Sequence, residues 1–247
     1  MSIPRELLKD IVWFFDYDGS LCPHQEVWEL RAYNPQEIKD VLEHLKNLGS
    51  QIYWNTGRRP ESLGDVQLDF LDYPGYFIQG AAVWDEKTKK ARALAPLLPQ
   101  DWVKKFTDTE LFEEKVFRKE AKPHSFRVAP AQLAFLRELK AKVHSFGAPK
   151  GWKWVVGYRG AELLPEGFDK GSAIRLYYEN SANSKKIPIA VGDDALDLPA
   201  IKECIERGGY GILVGEHCGW ITNLPHKAQQ LMYFDRPKDL HDYILGF

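Results

Sequence analysis

Residues 11–20 read IVWFFDYDGS. Five apolar β-formers end abruptly in a polar segment carrying two acids, the pattern of a strand buried on both faces that emerges into a functional loop. Downstream, Asn34 and Pro35 suit a helix start, and Ile38, Val41, Leu42, Leu45 and Leu48 form one apolar stripe before Gly49. QIYWN (51–55) then predicts a second strand running into the polar turn TGRRP, with a short helix from Pro60 towards Leu68. Strand, helix, strand and helix in that order imply parallel pairing through right-handed crossovers.

The C-terminal third repeats this grammar. KGSAIRLYYE predicts a helix, KIPIAVGDD a strand ending in acids, DLPAIKECIE a helix and GYGILVG a strand of the same sheet. Between the two α/β portions, Val83–Pro165 differs in character, with helices expected around Trp102–Lys119 and Pro130–Phe146 and strands around Ser125–Val128 and Trp152–Val156. The fold class is therefore α/β: a Rossmann-like parallel-sheet core formed by residues 1–82 and 166–247, with an inserted α+β cap over residues 83–165.

A chain of 247 residues with a net charge of −2 is long enough for a substantial core and presents no broad basic field, which argues against nucleic acid as a partner. Cys22, Cys204 and Cys218 are too few and scattered for a disulfide framework. The first apolar run is far shorter than the roughly 20 residues of a membrane span, so a cytoplasmic location with no membrane partner is expected. Trp102, Trp152 and Trp154 read first as core, and His24, His124 and His144 show no metal-ligand spacing.

Asp16 and Asp18 leave the first strand at its C-terminal end, where open parallel sheets bind ligands. Two carboxylates one residue apart need relief from their repulsion, and a hard divalent cation with oxygen ligands supplies it while neutralising phosphate. Gly19 lets the backbone come close to an anion. Asp193, Asp194 and Asp197 follow the IAVG strand in the same way; a helix cap accounts for one of them, not for three. Thr56 and Arg58 add a hydroxyl and a cation suited to phosphate oxygens, and Lys170 brings a further positive charge to the same edge.

These strings resemble the four motifs of the haloacid dehalogenase superfamily of phosphatases: FFDYDGSL, NTGR, the lysine of FDKGSA, and VGDDALD. Within it, DYDGSL, VGYRGAELLPEGFDKGSAI and VGDDALD are most similar to trehalose-6-phosphate phosphatases and related sugar-phosphate phosphatases. Ser20 stands where threonine is usual, SFR around Arg127 replaces a histidine-tyrosine-arginine pattern, and Leu164 replaces an arginine, so the sugar stays open.

The resemblance implies Asp16 as nucleophile and Asp18 as general acid and base. It implies Mg2+ held by Asp16, the Asp18 carbonyl and Asp193 with Asp194 in support, Thr56 and Lys170 as phosphate donors with Gly57 and Arg58 beside them, and Asp197 orienting Lys170. Arg127 and Glu162 are the expected cap contacts to sugar hydroxyls. A small phosphorylated sugar is the expected partner, and the protein a monomer or small homo-oligomer. Two alternatives share these residues: a phosphosugar mutase, which returns phosphate to another hydroxyl, and a catalytically silent sugar-phosphate sensor.

Overall fold

The computed structural model describes residues 3–23, 34–113, 116–179, 185–215 and 228–247, with the side chain of Leu68 excepted. The first half contains β1 (Ile11–Phe15), α1 (Pro35–Asn47), β2 (Gln51–Asn55), α2 (Pro60–Gly64), β3 (Gly75–Phe77), β4 (Ala82–Asp85) and β5 (Lys90–Ala93). Next come α3 (Gln100–Thr107), β6 (Phe117–Lys122), β7 (Ser125–Pro130), α4 (Leu136–Phe146), β8 (Trp152–Val156) and β9 (Ala161–Pro165). The chain ends with α5 (Lys170–Glu179), β10 (Ile187–Gly192), α6 (Leu198–Glu206), β11 (Tyr210–Val214), β12 (Leu231–Phe234) and α7 (Pro237–Leu245).

Two sheets organise these elements. The larger runs β12-β11-β10-β1-β2-β3-β4-β5, parallel from β12 through β3 and antiparallel beyond; the smaller is an antiparallel β6-β7-β9-β8. All five residues of β1 are buried because both faces of the large sheet are covered. Ile11, Trp13 and Phe15 join one apolar cluster with Val41, Leu42 and Ile244, while Val12 and Phe14 point into the other with Ile174 and Ile201. The alternation is the period-two geometry of a strand. Asn34 caps α1 by accepting from Gln36 N–H, and the expected stripe of Ile38, Val41, Leu42 and Leu45 is buried. Each such side chain contributes about 1.5–3 kcal/mol by leaving water.

The small sheet has its own core of Phe106, Phe117, Phe126, Val143, Trp152 and Leu163, with Trp102 and Trp154 packed against it. The three tryptophans thus pack in a core.

Some expectations shift. The insert was expected from Val83, but β4 and β5 extend the large sheet, with Gly75 opposite Trp84 and Val83 opposite Arg92, so Val83–Ala93 belongs with the core sheet. The helix expected over Trp102–Lys119 stops at Thr107, and Phe117–Lys122 pairs with β7 as a strand. The helix expected from Pro130 begins at Leu136, because Pro130 is the last residue of β7. The helix expected towards Leu68 ends at Gly64. Among the described residues no helix is long and apolar enough to cross a membrane. Cys22 and Cys204 are buried thiols; Cys218 and His24 lie outside the described residues.

Candidate active site

Parallel pairing of Phe15 with Val191 brings the ends of β1 and β10 side by side, so Asp16 and Asp193 emerge as neighbours. The Asp16 N–H donates to the Val191 carbonyl at 3.0 Å, fixing the first acid at the sheet edge. Carboxylate oxygens of Asp16, Asp193 and Asp197 lie within 4.8 Å of one another. Lys170, the first residue of α5, places its Nζ 2.9 Å from Asp16 Oδ1 and 2.5 Å from Asp197 Oδ1. Asp197 accepts the Asp193 and Asp194 N–H groups on its other oxygen, both at 3.1 Å. Both Asp197 oxygens are therefore engaged, one of them by Lys170.

One ammonium faces two buried carboxylates, Asp16 and Asp197, and the half-buried Asp193. Burial, reinforced by Asp197 and Asp18 and opposed by Lys170, pushes the Asp16 carboxyl up to about 6. Burial and the neighbouring acids Asp197, Asp16 and Asp194 also raise Asp193 well above the ordinary carboxylate range. Burial alone would lower the Lys170 ammonium, but Asp16 and Asp197 reverse that and hold it above its usual value. Surplus negative charge confined among oxygen donors fits a hard divalent cation, to which Asp16, Asp193 and Asp197 could each offer one carboxylate oxygen.

Asp18, whose charge also bears on Asp16, has a cation of its own. Arg58 grips it with two parallel bonds, Nε to Oδ2 and Nη2 to Oδ1, each 2.7 Å, and the guanidinium stacks over the Tyr17 ring at 4.8 Å. Arg58 was expected beside phosphate; here its fork is spent on Asp18. Thr56 is buried at the end of β2, its N–H on the Tyr76 carbonyl at 3.0 Å and its Oγ1 accepting from Arg58 N–H at 3.3 Å. Gly19, with φ 81°, turns the chain and gives its N–H to the Cys22 carbonyl at 2.7 Å.

The small sheet closes over this edge. Glu162 on β9 is buried and accepts from Ser125 Oγ at 2.9 Å, from Gln79 Nε2 at 3.0 Å and from Lys122 Nζ at 3.2 Å. Lys122 also donates to the Gly57 carbonyl at 2.8 Å, so the pair ties the insert to the turn beside Thr56. Burial would raise the Glu162 carboxyl, yet Lys122 and Arg127 outweigh it and hold the group below its ordinary value. Half-buried Arg127 on β7 stands opposite Glu162 in the β7–β9 register. A second contact lies at the β8–β9 hairpin tip, where the Tyr158 N–H donates to Asp194 Oδ1 at 2.7 Å. Asp194 also bonds the Ala195 N–H at 2.5 Å and closes a capping box with Asp197.

No family model matches the sequence. Trehalose-phosphate phosphatase B of Arabidopsis thaliana is 29% identical over 233 residues, covering 84% of this chain and 60% of that protein. The chain therefore spans about three fifths of the length of this curated relative. Among solved structures, the C-terminal domain of C. albicans trehalose-6-phosphate phosphatase matches with a TM-score of 0.74 at 18% identity, over 98% of this chain and 96% of that one. A Bacteroides thetaiotaomicron protein, described among phosphatases of the haloalkanoate (HAD) enzyme superfamily, matches with a TM-score of 0.64 at 17% identity, over 99% and 97% of the two chains. The chain has the haloacid dehalogenase fold.

In this haloacid dehalogenase fold, four expected residues, Asp16, Lys170, Asp193 and Asp197, converge on one buried cluster. Asp18, Thr56, Gly57 and Arg58 line its margin. Arg127 and Glu162 come from the insert, and Asp194 meets the hairpin tip. Sequence reasoning missed Gln79, Lys122 and Ser125. Lys122 falls between the helix expected to end at Lys119 and the strand expected from Ser125, and no local pattern marked it or Gln79.

Proposed function

We propose that the chain is a magnesium-dependent phosphomonoesterase that hydrolyses a small sugar phosphate through an aspartyl-phosphate on Asp16. The observation that carries this reading is the buried array at the paired ends of β1 and β10. Asp16 lies 2.9 Å from the Lys170 ammonium, Asp197 fixes that ammonium, and Asp193 stands beside them. A merely structural ion pair needs neither the third acid nor a position at the C-terminal edge of a parallel sheet.

Asp16 attacks phosphorus in line, its carboxylate oxygen forming the O–P bond of an acyl phosphate as the bond to the sugar oxygen breaks. The departing oxygen takes a proton from Asp18, which later accepts one from the water that attacks phosphorus and releases Asp16. The Arg58 fork engages one lone pair on each Asp18 oxygen and holds the carboxyl in position, leaving a second lone pair to carry the proton. Thr56 and Lys170 donate to the equatorial oxygens. Asp16, Asp193 and the Asp18 carbonyl would hold magnesium, which would supply positive charge to neutralise the phosphate; Asp194 would support that site from the hairpin contact.

The insert acts as a cap, with Arg127 and Glu162 reading sugar hydroxyls and Gly19 leaving room for the phosphate. Trehalose 6-phosphate heads the substrates to be tested. The reading includes a monomer or small homo-oligomer in a cytoplasmic setting, without nucleic-acid or membrane partners; the near-neutral charge and buried thiols support it.

The test is inorganic phosphate release from a panel of sugar phosphates with and without magnesium. Binding without release would favour a silent sensor, and phosphate moved to another hydroxyl of the sugar would favour a mutase.

A further inference from the structure

The loop between β3 and β4 carries a feature that the catalytic reading leaves unused. Ile78 and Gln79 both lie in the left-handed region, with φ of 53° and 56°. Consecutive non-glycine residues in that region are strained, and such strain persists where the surroundings over-determine it. Here the Ile78 N–H donates to the Arg58 carbonyl at 3.0 Å and the Gln79 N–H to the Thr56 carbonyl at 3.2 Å, so the strained turn is bolted to the NTGR segment.

The bolting aims the Gln79 side chain across Gly57. A Cβ at Gly57 would stand 2.5 Å from Gln79 Nε2, so the amide lies directly against Gly57, beside Thr56. Gln79 is 3% exposed, and its Nε2 donates to Glu162 Oε2 at 3.0 Å. A carboxylate accepts only, which fixes the orientation of the amide. The other prong, Oε1, is buried with no hydrogen-bond partner among the described residues. A buried acceptor without a donor is costly, and a turn that only had to reverse the chain has no use for it.

We propose that Gln79 is a specificity-determining residue of the core, whose Oε1 accepts a hydrogen bond from a hydroxyl of the sugar close to its phosphorylated carbon. The inference rests on the sugar-phosphatase reading and deepens it. Thr56, one residue from Gly57, is the proposed phosphate donor, and Glu162 belongs to the cap. The Gln79 amide bridges the two, reaching Glu162 of the cap from above Gly57 of the core. A lone acceptor selects a ligand that brings a donor, as a polyol phosphate does and an aryl phosphate does not.

The test compares wild type with Gln79→Met, which keeps the length of the side chain and removes both the acceptor and the donor of the amide. The readout is kcat/KM for the best-used member of a panel of hexose and disaccharide phosphates, divided by kcat/KM for p-nitrophenyl phosphate. The expected result is a fall of about tenfold in that ratio, the size of one lost hydrogen bond between neutral groups, appearing mainly in KM. An unchanged ratio overturns the proposal, including the case in which Oε1 merely holds a water and both substrates suffer alike. A wild type that hydrolyses the aryl phosphate but no sugar phosphate also overturns it. A wild type that hydrolyses neither fails the phosphatase reading itself, a distinct outcome.

Discussion

The ammonium of Lys170 stands 2.9 Å from Oδ1 of Asp16, and both side chains are buried. This contact holds the expected nucleophile at the edge of the sheet and offsets part of its charge. Replacing Lys170 by methionine removes the cation that bridges Asp16 and Asp197 in this cluster. Phosphate release should fall by about 10²–10³-fold, the usual loss for one preorganised donor. Without magnesium the fold should lose about 3–5 kcal/mol, because buried carboxylates are left uncompensated. Magnesium then replaces part of the missing positive charge. The rise in melting temperature on adding magnesium should be larger for Lys170→Met than for wild type; equal rises would contradict this reading.

Arg58 is expected to act through Asp18. Removing the fork in Arg58→Ala leaves the general acid unpositioned, which matters most for a leaving group that needs a proton. Turnover of an alkyl sugar phosphate should drop about tenfold further than that of p-nitrophenyl phosphate, within the range that acid–base catalysis supplies. Steady-state kinetics on both substrates decides it, and equal losses would assign Arg58 to phosphate binding instead.

Gly157 presses the hairpin tip onto the core. A Cβ there would lie 2.2 Å from Asp194 Oδ2, whose partner oxygen is held by the Tyr158 and Ala195 N–H groups. Gly157→Ala should therefore lift the tip and break the Tyr158 bond. Hydrogen exchange at the Tyr158 amide should be faster in the variant than in wild type. Unaltered protection would show that the tip accommodates a methyl group without parting from Asp194.

Glu162 gives stability a dependence on pH. Its carboxyl is held below the ordinary value of 4.5, so the unfolded chain binds the proton more readily than the native one. The contribution is fully present above that value and is lost as pH falls through the lower native one. Urea unfolding between pH 6 and pH 3 should show a steeper acid-side loss for wild type than for Glu162→Gln. Lys122→Met, which strands the buried carboxylate, should cost about 3–5 kcal/mol at neutral pH. Parallel pH profiles for wild type and Glu162→Gln would contradict this assignment.

The core was legible because its signals are local. IVWFF and IAVG are apolar runs that end in acids, and strand order alone then brings Asp16 and Asp193 together. The margins were not. KARA, the fully exposed β5, carries no burial pattern, and only pairing with β4 makes it a strand. FRKEAK buries Phe117 and Lys122 at its ends, and its charged middle reads as well for a helix. The Gln79–Glu162 bond joins residues 83 positions apart through a strained turn, which no local pattern encodes. Arg58 was recognised as a cation of the site, but its choice of Asp18 over phosphate depends on how two loops meet.

The most direct test of the central claim is phosphate release from a panel of sugar phosphates, trehalose 6-phosphate included, by wild type and Asp16→Asn with and without magnesium. Release that requires magnesium and falls by at least about 10⁴-fold in Asp16→Asn, the scale on which a lost nucleophile acts, is the expected result. Asp16→Asn that retains wild-type release, or a wild type that binds sugar phosphates and frees no phosphate from any, would contradict a phosphatase built on Asp16.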